Sequence, residues 1–299
     1  MEKIEKEILK TLLFFNLFSR PLNLKELHQF LGVKSTEGQT FLALINLVKK
    51  GKVIEKNNFF VLKQYEKIFR YFKKREKIKN QLIKRAEFFS FLFKITPFIR
   101  GVFLVNSLAM GLPSKNSDID VLVLTKKNRL WISRFFANIL FFIFGQKRKK
   151  EIKKAPKKFC LSFFSEIDLD LSKWKLKGED PLFIYWLATA KPLVGQKACQ
   201  VLFEKNSWIL KFLPNLKIKK AEGKIKPLSF VAFLLEKIIN IFGDFLEKKL
   251  FQIQSKRIRA KNKKDEKLAL PYIFKSYVPG EEKRFIKVIN KIYKKYLLK

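Results

Sequence analysis

Residues 102–125 read VFLVNSLAMGLPSKNSDIDVLVLT, two apolar runs joined by a polar connection rich in turn-forming residues. The first run ends at Asn106 and Ser107, and the second follows Asp118 and Asp120. Strand side chains alternate between two faces, so residues two apart point the same way. The pattern therefore predicts two strands, with Asp118 and Asp120 on one face at the start of the second strand.

These two aspartates indicate a cation site. Two carboxylates held this close repel each other unless a cation lies between them. Hard oxygen ligands suit Mg²⁺, which usually takes one or two protein carboxylates together with substrate phosphates. Such metals can align and neutralise a phosphoryl group under attack. Without its surroundings, the Asp-x-Asp motif is equally consistent with a polar turn before a strand in which Asp120 faces water.

The whole stretch resembles the signature of the polymerase-β-like nucleotidyltransferase superfamily, which is Gly-Ser, a short connection, and then Asp-x-Asp on a hydrophobic strand. The resemblance implies that Asp118 and Asp120 are catalytic and bind Mg²⁺ (or Mn²⁺). It also implies that Ser107 and the backbone around it hold a nucleoside triphosphate, the expected substrate. Gly111 and Ser117, which lie in the connection, are further candidates for nucleotide binding.

The sequence departs from this signature at two places. Asn106, a further nucleotide-binding candidate, stands where the family usually has Gly. Asn tolerates left-handed backbone angles better than most residues, so the turn can survive, although its side chain could crowd a phosphate. The third family carboxylate is not evident, because the next strand-like run, 158–165, carries Ser162 in its interior. Glu166, which would share a strand face with Ser162, could supply the third carboxylate as a catalytic residue. Alternatively, Asp168 supplies it as a metal ligand, or the site has only two carboxylates.

The function that the resemblance implies is Mg²⁺-dependent transfer of a nucleoside monophosphate from a nucleoside triphosphate to an acceptor hydroxyl, with the acceptor left open. The alternative is a nucleic-acid-binding regulator that keeps a degenerate nucleotidyltransferase domain as a nucleotide sensor. Asn106 and Ser162 favour the regulator, and the intact Asp118-Ile-Asp120 favours the enzyme. The chain has no glycine-rich phosphate-binding fingerprint, and one His with two distant Cys cannot make a usual zinc site.

Residues 1–63 resemble a winged-helix module. Helical patterns over 4–18, 23–32 and 35–50 precede a hairpin pattern centred on 56–58. In DNA-binding versions the third helix enters the major groove. Its expected outward residues are Glu37, Gln39, Thr40, Asn46 and Lys49. Gln and Asn could read adenine edges, but Glu opposes phosphate and no Arg is present, so DNA binding and protein interaction stay equally open. His28 is expected to be a surface or packing residue.

The expected fold class is α+β. The winged-helix module (1–63) is followed by a connecting helix (64–97) that Pro97 ends. A nucleotidyltransferase-type core with a mixed β-sheet and helices spans 98–177, and a helical C-terminal domain spans 178–299, opened by Asp180-Pro181. This layout resembles bacterial proteins described only by their nucleotidyltransferase domain, which brings no substrate.

Composition and charge indicate partners and location. The 65 Lys and Arg outnumber the 26 Asp and Glu, which gives a net charge of +39. Such a surface attracts polyanions, including nucleic acid, without sequence preference and in a salt-dependent way. No uncharged apolar run reaches the ~18 residues of a membrane span, and the charged start lacks a signal peptide pattern. With Cys160 and Cys199 expected to be reduced and structural, a cytoplasmic protein is predicted.

Overall fold

The computed structural model describes residues 1–111, 113–148, 156–174, 181–218 and 220–261. The N-terminal part holds three helices and a three-stranded sheet with the strand order β1-β3-β2. The helices are α1 (Glu2–Leu17), α2 (Leu24–Gln29) and α3 (Glu37–Lys49). The strands are β1 (Leu22–Asn23), β2 (Val53–Lys56) and β3 (Phe59–Leu62).

Local sequence signals explain where these elements begin and end. Asn23 caps α2 and forms a capping box with Glu26. Between β2 and β3, Asn57 and Asn58 have φ angles of 54° and 63°, the left-handed pair that a two-residue hairpin turn requires. The predicted helices and hairpin are therefore confirmed, whereas β1 was not predicted.

One residue of α3 departs from its expected orientation. Thr40, expected to face outward, is fully buried, and its hydroxyl donates a hydrogen bond to the carbonyl of Thr36. Gln39 is exposed, but its side-chain oxygen accepts the backbone N–H of Thr36 in a capping box. His28, as expected, is a packing residue, with Nε2 at 2.9 Å from the carbonyl oxygen of Ser35.

The predicted connecting helix is divided in two. After a 3₁₀ turn at Lys63–Tyr65, α4 spans Ile68–Phe88 and α5 spans Phe91–Ile95. Phe89 is the C-cap residue of α4, and α5 begins after Ser90. Pro97 separates α5 from the first strand of the central sheet, as predicted.

The central sheet has four strands in the order β6-β5-β4-β7. The strands are β4 (Ile99–Leu104), β5 (Ile119–Thr125), β6 (Phe159–Glu166) and β7 (Lys191–Val194). Because β5 pairs with β4 antiparallel and with β6 parallel, the sheet is mixed, as predicted. β7 is a correction, since it belongs to the sheet but lies in the region expected to be entirely helical.

Six further α-helices follow α5 in the described part of the chain. They are α6 (Asn106–Met110), α7 (Leu130–Ile143), α8 (Pro181–Ala188), α9 (Gln196–Lys205), α10 (Phe230–Asn240) and α11 (Gly243–Lys261). The expected N-cap of α8, Asp180, lies outside the described residues. Among the described helices, none combines the length and apolarity needed to cross a bilayer.

The two faces of the central sheet bury separate layers of side chains. On one face, Phe103 and Leu122 share a core with α1, α2, α3, α8 and α9. On the other face, Val102 and Val123 pack with α5, α7 and parts of α4, α10 and α11. The N-terminal helices therefore have no separate core. Tyr185 of α8 joins them to the sheet, since its ring lies 4.5 Å from that of Phe14.

Candidate metal and nucleotide site

Asp118, Asp120 and Cys160 form one cluster at the start of β5. Their potential ligand atoms, a carboxylate oxygen of each Asp and the Sγ of Cys160, all lie within 4.8 Å of one another. Asp118 and Asp120 flank Ile119, the first residue of β5, and Cys160 lies opposite Asp120 in the parallel register of β5 and β6. Two neighbouring strands thus bring three potential metal ligands to one place, as the strand alternation predicted for the two aspartates.

The surroundings of Asp120 disfavour its negative charge. Burial, and then the nearby carboxylate of Asp118, raise the pKa of Asp120 above its ordinary value. Hydrogen bonds from the side chains of Cys160 and Asn106 oppose this by lowering the pKa, and so does the charge of Arg148. A bound cation would act in the same direction as these hydrogen bonds, because it would stabilise the ionised carboxylate of Asp120.

Arg148 is the cation that the protein itself places beside the pair, and the sequence analysis did not single it out. Its Nη1 donates a hydrogen bond to Oδ2 of Asp118. Its backbone N–H donates to the carbonyl of Phe159 at 2.9 Å, and Lys147 forms a parallel bridge with Phe159. Arg148 is thereby fixed at the outer edge of β6. Residues 147–158 contain eight Lys or Arg in the sequence, so only the strand pairing distinguishes Arg148 from its basic neighbours.

Asn106 forms the turn after β4 in the left-handed conformation, with a φ of 56°. Its side-chain Oδ1 accepts a hydrogen bond from Nε1 of Trp186 at 2.7 Å, and its side chain also hydrogen-bonds Asp120. The turn therefore forms with Asn in place of Gly, because Asn adopts these angles more readily than most residues. Trp186, which the sequence analysis did not single out, fixes the orientation of the amide.

The other nucleotide-binding candidates occupy the connection between β4 and β5. Ser107 follows Asn106 in α6 and is partly exposed, and its carbonyl accepts the N–H of Gly111 at 3.2 Å. Gly111 packs against Phe18 of the N-terminal part. Ser117 precedes Asp118, and its hydroxyl accepts the N–H of Ser114 at 2.9 Å. Gly111 and Ser117 therefore stabilise the connection itself, whereas Ser107 stays accessible next to Asn106.

Arg20, after α1, holds α6 from the N-terminal part of the chain. Its Nη1 donates to the carbonyl oxygens of Ala109 and Met110, both at 3.0 Å. Its Nη2 lies 2.7 Å from Oε1 of Glu26. The guanidinium thus ties the C-terminal end of α6 to α2, and the sequence alone gave no signal for this contact.

Glu166 and Asp168 do not join the cluster, which corrects the expected third carboxylate. Asp120 pairs with Cys160 but Leu122 pairs with Phe163, so β6 contains one extra residue, a β-bulge. An extra residue inverts the alternation of side chains beyond it. Glu166, which pairs with Thr125, therefore lies on the opposite face and about 17 Å further along the sheet at ~3.3 Å per residue.

The contacts of the two acids agree with this placement. Oε1 of Glu166 accepts the backbone N–H of Asn128 at 2.8 Å, and burial raises the pKa of this carboxyl. Asp168 is exposed beyond the end of β6. The position beside Asp120 belongs instead to Cys160, which was expected to be a structural cysteine. Ser162 lies two residues beyond Cys160 in β6. The sequence therefore identified the strand beside Asp120, but not the residue of that strand that lies opposite it.

Comparison with known proteins bears on this same part of the chain. Searches of curated proteins and of solved structures found no match. The match to a family model begins in α4, includes β4, β5 and β6 with the whole cluster, and ends in α8. Residues 82–182 match the model of the nucleotidyltransferase domain, so this segment of the chain is similar to that family.

Proposed function

We propose that the protein is a divalent-metal-dependent nucleotidyltransferase that transfers a nucleoside monophosphate from a nucleoside triphosphate to an acceptor hydroxyl. The observation that carries the proposal is the convergence of Asp118 and Asp120 with Cys160 inside the segment that matches the nucleotidyltransferase family model. The acceptor class stays open, because no described contact selects among small molecules, protein side chains and RNA ends.

The donor set fits a divalent cation. Asp118 and Asp120 supply the carboxylate oxygens that Mg²⁺ and Mn²⁺ prefer, and the raised pKa of Asp120 means that a cation there would be stabilising. When bound, the metal would neutralise charge on the triphosphate. Cys160 stands where a third carboxylate would complete the set, and a thiol is a softer ligand. The site therefore fits a metal held by two carboxylates and by substrate phosphates.

The remaining residues have roles that follow from their positions. Asn106 orients Asp120 through its side chain, and the turn that it forms places Ser107 at the partly exposed start of α6. Arg148 neutralises Asp118 while no metal is bound. With a cation bound at the two aspartates, the guanidinium of Arg148 would be available to bind a phosphate group, for which its planar fork is well suited.

The test is calorimetric titration with ATP and with GTP in the presence of Mg²⁺, using Asp118→Asn and Asp120→Asn. We expect both variants to lose Mg²⁺-dependent nucleotide binding while remaining folded, because each loses a carboxylate of the cluster. Asp168→Asn is the matched control and should bind as the wild type does, since Asp168 lies beyond β6. Unchanged affinity in both cluster variants would remove the enzyme proposal together with its site.

A second candidate function is a nucleic-acid-binding regulator. The order of three helices and a two-stranded hairpin in residues 1–62 fits a winged-helix module, and the charge of +39 favours polyanions. The exposed side chains of α3 argue against sequence-specific recognition of DNA bases. Gln39 is engaged in the cap of its own helix, and Phe41 and Leu42 are exposed there instead. Apolar side chains of this kind are more typical of a protein contact.

Selection from a random duplex library at physiological salt separates the two functions. We expect no preferred sequence, and an affinity whose logarithm falls with log salt by about 0.9 per neutralised phosphate. A regulator would instead keep a site preferred by roughly 10³-fold or more over random DNA. Recovery of one motif that is lost in Gln39→Ala and Asn46→Ala would make DNA reading the primary function.

A further inference from the structure

The helix α10 buries a carboxylate and exposes several large apolar side chains. Glu236 on its inner side is buried, and its carboxylate accepts two hydrogen bonds from Arg100, at 2.6 and 2.8 Å, and one from the backbone N–H of Phe98 at 2.7 Å. The opposite side exposes Phe230 (72%), Leu234 (44%) and Ile238 (65%), which are four residues apart. Because the buried ion pair fixes the rotation of the helix, these apolar side chains cannot turn inward.

In α11, too, an acidic side chain faces inward while apolar side chains are exposed. Glu247 faces inward, where its two carboxylate oxygens accept the backbone N–H groups of Trp131 and Ile132 at the start of α7. Phe242 and Phe245, at the junction of α10 and α11, are 71% and 65% exposed. Burial of such side chains is ordinarily favourable, and large exposed apolar patches mark interaction surfaces. We call the outward side chains Phe230, Leu234, Ile238, Phe242 and Phe245 the apolar ridge.

Cations border the apolar ridge. Lys237, Lys248 and Lys249 are exposed on the same two helices. The Nζ of Lys237 lies 4.7 Å from the ring centroid of Phe233, and that of Lys249 lies 5.7 Å from the ring centroid of Phe245. Residues 230–257 contain three acids. Two are the inward Glu236 and Glu247, and the third, Asp244, is paired with Arg129.

The charge pattern decides what this surface binds. A second copy of the chain would bring another charge of +39 against the same lysines, and like charges oppose that association. An anionic bilayer offers both complements at once, acidic headgroups for the lysines and an apolar boundary for the phenylalanines. We propose that the apolar ridge is a docking surface for an anionic lipid bilayer, which α10 and the first half of α11 enter only at the headgroup level.

This docking would leave the candidate metal site accessible. α10 and α11 pack on the sheet face that carries Val102 and Val123. Asp120 alternates with these residues and lies on the other face, with Leu122 and Leu124. The proposal does not depend on the nucleotidyltransferase proposal, because none of its residues belongs to the metal cluster.

The test is co-sedimentation of the full-length protein with phosphatidylcholine vesicles, with and without phosphatidylglycerol. General attraction of a basic protein to acidic lipid is screened by salt, so the apolar contribution is measured at high salt. We expect the combined variant Phe230→Ser, Leu234→Ser, Ile238→Ser to bind anionic vesicles about 10- to 100-fold more weakly than the wild type under that condition. These side chains are already exposed, so folding should be unaffected.

Two matched variants complete the experiment. Phe41→Ser with Leu42→Ser removes two comparably exposed apolar side chains from α3 and should leave vesicle binding unchanged. Phe242→Trp tests insertion without removing the ridge, since brominated lipid should quench its added fluorescence, and it decides the question if the triple variant fails to fold. Equal binding of wild type and triple variant at high salt, absence of vesicle binding, or a wild-type dimer that excludes vesicles would each overturn the proposal.

Discussion

At the scale of single residues, Cys160 is the main departure of the candidate site from the expected set of three carboxylates. It occupies the strand position opposite Asp120, where a third carboxylate would share the cation. Its thiol donates a hydrogen bond to Asp120, so it satisfies the carboxylate as a neutral donor. Mg²⁺ prefers oxygen ligands and thiols suit softer metals. The wild-type site is therefore expected to hold Mg²⁺ weakly until a triphosphate adds its own oxygens.

Cys160→Asp should strengthen the site. A third carboxylate within reach of Asp118 and Asp120 would raise the affinity for Mg²⁺ with nucleotide on the order of tenfold, since one charged oxygen ligand is added. Without metal the same change should lower the melting temperature, because three carboxylates repel one another. Calorimetry and thermal melting with and without Mg²⁺ measure both effects. Cys160→Ser is the control, and equal behaviour of the Asp and Ser variants would contradict the assigned position of Cys160.

At the scale of secondary-structure elements, the sequence was sufficient to predict those features that a single segment encodes by itself. The capping box of Asn23 and the paired Asn57-Asn58 turn are encoded by adjacent residues, and the start of β5 follows from simple alternation. The bulge in β6, the edge strand β7 and the contact of Arg148 with Asp118 depend on pairing between distant segments. Periodicity within one segment does not reveal pairing between distant segments. The sequence therefore pointed to Glu166 or Asp168 as the third site residue, whereas the structure places Cys160 there.

The orientation of α10 shows a second limit of sequence patterns. Its apolar periodicity favours burial of the apolar side against the sheet, yet the structure buries Glu236 instead. Arg100 of β4 and Glu236 are each only 7% exposed at their side chains and are joined by an ion pair of 2.6 Å. A buried charge without a partner is strongly unfavourable. The inward position of Glu236 therefore follows from Arg100, a residue 136 positions earlier in the chain.

Removal of one member of this ion pair should lower the free energy of unfolding more than removal of both. Glu236→Ala leaves Arg100 buried and unpaired, and we expect a loss of about 3–5 kcal/mol in the free energy of unfolding. Arg100→Met combined with Glu236→Leu replaces the pair with apolar side chains and should remain within about 1–2 kcal/mol of the wild type. Urea denaturation followed by circular dichroism measures both. A single variant as stable as the wild type would mean that α10 does not depend on this pair.

At the scale of the whole molecule, the N-terminal helices and the candidate site form one connected structure. Phe14 and Phe30 pack on Tyr185, and the hydroxyl of Tyr185 donates to the carbonyl of Phe30 at 3.2 Å. α8 also contributes Trp186, which holds Asn106. The chain around the site is thereby supported from two directions, by α8 on one side and by Arg20 on the other. A change in the N-terminal part should therefore alter the nucleotide affinity of the candidate site.

Arg20→Ala tests this coupling. Arg20 does not belong to the metal cluster, but it holds the carbonyl groups of Ala109 and Met110 at the end of α6. Hydrogen bonds to charged groups contribute roughly 1.5–3 kcal/mol each, so their loss should loosen the turn that carries Asn106 and Ser107. We expect nucleotide affinity to fall several-fold by calorimetry, and amide hydrogen exchange in α6 to accelerate.

The matched control for this coupling is Lys6→Ala. Lys6 is an exposed cation of the same N-terminal part whose ion pair with Glu2 lies on the surface, and such pairs contribute little to stability. It should leave both nucleotide affinity and exchange in α6 unchanged. If Arg20→Ala accelerated exchange throughout the protein equally, the effect would be general destabilisation. If exchange rose in α6 alone while nucleotide affinity stayed constant, α6 would not belong to the nucleotide site, because a site that contains α6 cannot lose its support and keep its affinity.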